Sequence, residues 1–342
     1  MKVAILGDTH LGARNGSSKF SIFFNKFFQD FFYPYLLKNG IKTIYQLGDL
    51  FDNRTALSLK AYHACKDVWF QPLQDHDITM HVLLGNHDIY HKNTLEINSP
   101  ELLLGEYSRI KVHKEIATIG DFDIIPWICD ENRKEVEVFL TSNKTSRFCL
   151  GHFEISGFAM YRGAEAHSEG ISTSLFEKYE MVFSGHYHHK SSKGNISYVG
   201  TPYEITWSDY ADPKGFHILD TDTGKIEFIE NPFTMFRRVV HNNGWSGDIK
   251  SLSEKYVKVV VQEKRDLYTY DRFIDSIKLV SPHDITIIEN LDEFKDGDIE
   301  ESINLEDSSA IIDSYIDGLT TDLDKSKIKS YMRGLYNEAI SL

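Results

Sequence analysis

Five short segments place a potential metal ligand directly after a glycine. They are Gly7-Asp8-Thr9-His10, Gly48-Asp49-Leu50-Phe51-Asp52, Gly85-Asn86-His87-Asp88, Gly151-His152 and Gly185-His186-Tyr187-His188. Side chains alternate along extended backbone, so the pairs Asp8/His10 and His186/His188 can each turn two donors to one side and chelate. Asp49 can offer one oxygen to each of two ions, and Asn86 adds a neutral amide oxygen. A mixture of imidazole, carboxylate and amide suits Mn, Fe or Zn better than Ca or Mg. Two divalent cations about 3.5–4 Å apart can activate water and clamp a phosphate for in-line attack. The expected ligands are therefore Asp8, His10, Asp49, Asn86, His152, His186 and His188. His87 is expected to steady phosphate charge or protonate a leaving oxygen, and Asp88 to orient the His87 ring. The glycines are expected to let the backbone turn sharply. Each segment alone is weak, since a Gly-Asp pair is usually a turn and a lone buried His a satisfied core residue. All five in this order are specific.

Each segment follows a short apolar run: residues 3–6, 41–47, 80–84, 148–150 and 181–183. Apolar runs this short, bounded by glycine, read as buried strands. Helical patterns lie between the early ones. Residues 17–37 carry Phe20, Phe23, Phe24, Phe27 and Phe31 at helical spacing, with Phe28, Phe32 and Tyr35 widening the arc, so this helix is expected to be buried on two sides. Residues 60–75 read as a second helix, ending near Gln71-Pro72. Strand–helix alternation predicts an α/β layered domain over residues 1–230. Its polar residues would sit at strand carboxyl ends, where such sheets place ligands. A hairpin joining 216–219 to 226–229 closes it. Residues 231–292 then read as a small α+β unit, with strands at 236–241, 256–262 and 284–289 and a helix at 268–279. Residues 293–307 form an acidic linker, and 308–342 a tail of two amphipathic helices, 308–319 and 325–340.

A chain of 342 residues with 22 Phe and 18 Tyr has ample material for a large core and about two structural units. The net charge of −14 is the wrong sign for a globally basic nucleic-acid binder. Residues 281–342, however, hold 15 acidic against 5 basic side chains, which leaves −4 for the rest. The acidity belongs to the tail, so a partner is expected to supply basic surface. Cys65, Cys129 and Cys149 are too few and too scattered for a disulfide framework and fit a reducing cytoplasm. No secretory leader pattern opens the chain, and no run of about 18 apolar residues suggests a membrane span.

The five motifs resemble those of the calcineurin-like metallophosphoesterase superfamily. Gly7-Asp8-Thr9-His10-Leu11-Gly12, Val199-Gly200-Thr201-Pro202 and Asp212-Pro213-Lys214-Gly215-Phe216 extend the likeness to SbcD-type double-strand-break nucleases. Within these, the chain is most similar to the recombination endonuclease subunits of tailed phages, over essentially its whole length. The resemblance implies a two-layer β core flanked by helices and a manganese-dependent DNA exonuclease and endonuclease. Asp8, His10, Asp49 and His188 would serve one ion, and Asp49, Asn86, His152 and His186 the other, with His87 as catalytic histidine. Residues 231–292 would cap and orient duplex ends or single-stranded DNA. The tail would dock on the coiled coil of an SbcC-like ABC ATPase. Helices at 56–71 and 93–104 are candidates for a homodimer contact. Some relatives carry His where Asp52 stands, so Asp52 receives no catalytic role, and His189 reads as incidental. Two alternatives stay open: a metallophosphatase or phosphodiesterase on a non-DNA substrate, and a metal-free scaffold. Against the first, Asp52-Asn53-Arg54 lacks the Asp-Arg-Gly run of protein phosphatases.

Overall fold

The computed structural model describes residues 1–288 apart from 143–145, 165, 169, 243–244, 246 and 264–265, together with 316, 325, 327–329 and 332. The chain forms two compact units, Met1–Leu291 and Asp292–Leu342. The expected linker and tail helices fall outside the described residues, except for the few positions just named, which are helical.

Twelve strands build two sheets in the first unit. In chain order they are β1 (Lys2–Leu6), β2 (Thr43–Gln46), β3 (Thr79–Leu83), β4 (Ile110–His113), β5 (Ala117–Ile119), β6 (Phe122–Ile125), β7 (Phe148–His152), β8 (Met181–Gly185), β9 (Ser191–Lys193), β10 (Ile196–Tyr198), β11 (Gly215–Asp220) and β12 (Lys225–Glu230). One sheet runs β12-β11-β1-β2-β3-β4 and the other β5-β6-β7-β8-β10-β9. β1 to β4 pair in parallel, as do β6, β7, β8 and β10, while the remaining pairings in these sheets are antiparallel.

Alternation along the strands explains the layering. Val3, Ile5, Tyr45 and Leu83 meet Phe122, Ile124, Phe148, Leu150 and Phe183 in a core between the sheets. Ala4, Leu6, Ile44, Met80 and Val82 face the other way, onto an aromatic helical layer that includes Phe24, Phe27, Phe28 and Trp69. On the far side, Cys149 and Val182 pack with Val136 and Leu140 of helix Arg133–Thr141. Strands covered on both faces read as continuous apolar runs, which is what the sequence displays. The missed strands β4, β5, β6, β9 and β10 are three or four residues long and lie at or next to sheet edges, where that signal is weakest.

Three helices differ in detail from the expectations, although the second predicted helix covers the expected residues 60–75. The second predicted helix does not stop at Gln71-Pro72: Leu59–Cys65 continues through a π turn, Lys66–Phe70, into Gln71–Asp75. A second π turn, Phe28–Phe32, joins Ser18–Phe27 to Tyr33–Lys38 just before Pro34. Proline lacks an N–H and clashes with the carbonyl four residues back, and a widened turn accommodates both. The helix expected at 93–104 is only Ser99–Leu104, because the Asn98 side chain caps it by accepting from Glu101 N at 2.9 Å.

The segment after Asn231 forms a third, fully parallel sheet of β13 (Phe236–Asn242), β14 (Tyr256–Glu263) and β15 (Asp284–Ile288). Helix Leu267–Leu279 covers one face, burying Ile274 and Ile277 against Val257 and Val259.

His81 and His113 stand on neighbouring strands with Nδ1 and Nε2 2.9 Å apart. Burial lowers both pKa values, that of His81 to about 4. Between there and the unfolded value of about 6.5 the unfolded chain binds more protons. The contribution is therefore complete above pH 6.5 and is lost as pH falls through this window. Urea unfolding at stepped pH should give a shallower slope for His81→Phe than for wild type; identical slopes would refute this.

Candidate metal centre

The five motif segments all lie at strand carboxyl ends. Three follow β1, β2 and β3 of the first sheet, and two come from β7 and β8 of the second. Backbone geometry assigns the glycines a different task from the expected one. Of the five, only Gly48 has a left-handed φ; the turning is done by His10 (φ 42°), Asp49 (φ 50°) and His186 (φ 86°) themselves. Gly85 and Gly185 are required for close approach instead. A Cβ on Gly185 would lie 2.5 Å from Asp8 Oδ1, and one on Gly85 would collide with the Asp49 carboxylate and backbone N.

Among the described residues three overlapping donor clusters result, one of them His10, Asp49 and His87, and the other two correspond to the expected ligand groups. Asp8, His10 and His188 bring one donor atom each within 4.8 Å of one another, and so do Asp49, His152 and His186. Nε2 of His10 and of His188 face each other at 2.9 Å. In the second group, Asn86 Oδ1 lies 3.0 Å from His152 Nε2 and 2.9 Å from His186 Nδ1. Asp49 Oδ2 stands between the groups, 3.3 Å from His152 Nε2 and 3.9 Å from His10 Nε2. Asp8, His10, Asp49, Asn86 and His152 are buried. Imidazole nitrogens crowded against each other and against buried carboxylates are what a cation would satisfy, so the donor set fits divalent metals.

The backbone fixes which nitrogens are available. His152 Nδ1 donates to the Leu47 carbonyl at 2.7 Å, which turns Nε2 to the centre. His87 Nδ1 likewise donates to the Asp52 carbonyl at 2.6 Å. Burial raises the Asp8 pKa, with Asp49 reinforcing the shift and His152 opposing it. Asp49 is equally buried, yet His152 and His87 hold its carboxyl well below the usual range. Burial opposes charge on His152, but Asp49 and Asp8 pull its pKa up to about 9. Burial and nearby His10 push His188 down to about 3, which keeps its lone pair free, as a ligand's must be.

Asp88 departs from expectation. Its Oδ1 accepts from Leu50 N and Phe51 N at 3.0 and 3.2 Å, and its Oδ2 from Gly85 N at 2.8 Å. It fastens two ligand loops together and does not orient the His87 ring, a task that falls to the Asp52 carbonyl. Asp52 was undervalued in a second way, since its carboxylate lies 3.3 Å from His10 Nδ1, without the alignment of a hydrogen bond. No sequence pattern marked Trp127, whose ring sits 5.1 Å from that of His186 and 5.8 Å from that of His152. His189 is not incidental: its Nδ1 lies 2.8 Å from Asp212 Oδ1.

The fold and this constellation define a metallophosphoesterase. The calcineurin-like phosphoesterase family model matches residues 1–190, which include every expected ligand. The chain belongs to this family and is a metal-dependent phosphodiester hydrolase. It is 33% identical to Exonuclease subunit 1 of Enterobacteria phage T4, over 99% of each chain. It is 22% identical to the SbcD component of the nuclease SbcCD from Staphylococcus saprophyticus, over 77% of this chain and 70% of that one. A solved archaeal phosphodiesterase aligns with 68% of this chain and all of its own at a TM-score of 0.34 and 13% identity, too distant to inform the site.

Asp88→Asn would turn an amide NH2 toward backbone N–H donors. The loss should be about 1–3 kcal/mol of stability, read by urea unfolding. An unchanged midpoint together with lost hydrolysis would return Asp88 to the ring-orienting role.

Proposed function

We propose that this chain is the nuclease subunit of an SbcCD-like recombination and repair complex, hydrolysing DNA phosphodiester bonds with two Mn²⁺ ions. The reading is carried by two ligand groups meeting at buried Asp49 in a chain alike end to end to a phage exonuclease subunit. Asp8, His10, Asp49 and His188 would hold one ion, and Asp49, Asn86, His152 and His186 the other. When bound, the two ions supply Lewis acidity to the phosphate and to the attacking water. The protein's part is positional. The His87 backbone N–H donates to Asp49 Oδ1 at 2.7 Å, so the catalytic histidine and the shared ligand are fixed as one piece. The Asp52 carbonyl holds the ring at Nδ1, and Nε2 of His87 would steady phosphate charge or protonate the leaving oxygen.

The remaining parts fit the same reading. The sheet of β13, β14 and β15 would be the DNA cap of residues 231–292, and 308–342 the segment that docks on the coiled coil of an ABC ATPase. Leu59 and Leu102, on helices Leu59–Cys65 and Ser99–Leu104, are 82% and 72% exposed, which supports a homodimer contact there. No helix among the described residues is long and apolar enough to cross a membrane. Three free, buried cysteines suit a reducing compartment.

With manganese, the protein should release nucleotides from end-labelled linear duplex and cut single strands, and EDTA should stop both. Turnover of p-nitrophenyl phosphate with intact duplex would favour a small-substrate phosphoesterase. His87→Gln should retain its manganese while cleavage drops about 10²–10⁴-fold; loss of metal would make His87 a ligand, as its closeness to His10 and Asp49 would permit. Deleting residues 305–342 should abolish capture of the ATPase and leave manganese-dependent cleavage, and retained capture would place docking elsewhere.

A further inference from the structure

Lys214 is almost completely buried, at 5% exposure. Its ammonium group has three hydrogens and three acceptors: the His188 carbonyl at 2.7 Å, Asp209 Oδ1 at 2.7 Å and Asp212 Oδ2 at 2.9 Å. A buried charge is costly, and an apolar side chain of similar size would often serve stability as well. An apolar side chain could not, however, grip a carbonyl.

The grip joins three stretches of chain. His188 follows β8. Asp209 closes the turn Trp207–Asp209, where its Oδ2 accepts from Ile205 N and Thr206 N at 2.9 and 2.8 Å. Asp212 leads into β11 and also meets the His189 ring. The same carbonyl accepts from Thr201 N at 3.2 Å. Gly200 lies beside it with φ +72°, where a Cβ would be 3.0 Å from the carbonyl oxygen. The His188 backbone is thus enclosed, and its ring is left with Nε2 2.9 Å from His10 Nε2.

We infer that Lys214 is a positioning residue for the metal centre: through the His188 carbonyl it sets the imidazole that completes the group of Asp8, His10 and His188. The inference rests on the metal-ligand reading of those residues. Partners that orient ligands in this way change metal affinity about 10–100-fold when removed.

Mn²⁺ titration followed by electron paramagnetic resonance, with melting curves in parallel, tests this on the full chain. Lys214→Met combined with Asp212→Asn removes the grip and one of the carboxylates it would otherwise strand. The expected result is a folded protein with one of its two manganese sites weakened about 10–100-fold and the other at wild-type affinity. Asp212→Asn alone, which leaves the His188 contact in place, should bind both ions normally. Lys214→Gln, which keeps a donor but not the three-way grip, should show the same selective weakening and covers a double variant that fails to fold. Wild-type affinity at both sites in a folded Lys214 variant overturns the proposal, as does equal weakening by Asp212→Asn alone. A wild type that binds no manganese overturns the metal reading itself, and this inference with it.

Discussion

Asp49 is a buried carboxylate whose two oxygens serve different neighbours. One accepts the His87 backbone N–H, and the other faces imidazoles from both ligand groups. To place it there the chain accepts a left-handed backbone at Asp49 and a glycine at position 85 to make room. A non-glycine residue in that region is held at a cost of about 1–3 kcal/mol, and surrounding structure must impose it. Asp88 provides that restraint by binding the N–H groups of Leu50, Phe51 and Gly85. If Asp49 moved, His87 and both clusters of metal-type donors would lose their common reference.

The two-sheet architecture is what lets a single carboxylate reach both groups. The apolar layer between the sheets ends at the strand carboxyl ends, and the polar cluster begins there. Hydrogen bonds then cross from sheet to sheet: His152 Nδ1 to the Leu47 carbonyl at 2.7 Å, and His186 N to both Asp8 oxygens at 3.1 and 2.9 Å. Bonds to charged groups contribute more than neutral ones, about 1.5–3 kcal/mol net each. They also register the two sheets, so the core and the site specify one arrangement. Lys214 extends the same logic behind His188, with a paired buried charge in place of an apolar contact.

Much of this was legible in the residues themselves. Asp8, His10, Asp49, Asn86, His152, His186 and His188 stood out because each belongs to a glycine-led motif at the end of an apolar run, and the structure brings all seven together. The doubly covered strands were legible for the same reason, through Val3–Leu6 and its counterparts. What escaped notice acts through backbone or through distant contacts. Asp52 orients His87 with a carbonyl that every residue possesses, and Trp127 reaches the histidines from a segment with no motif. Asp88 was misread because adjacency in sequence suggested His87 as its partner, whereas its carboxylate points into the loop beneath. Pro72 read as a helix end because a π turn leaves no composition signal.

The most direct measurement is anomalous diffraction from crystals soaked in manganese. Two separate peaks are predicted, one bounded by Asp8, His10, Asp49 and His188, the other by Asp49, Asn86, His152 and His186, with Asp49 touching both. A single peak, or peaks that leave Asp49 outside the coordination of either ion, would contradict the account.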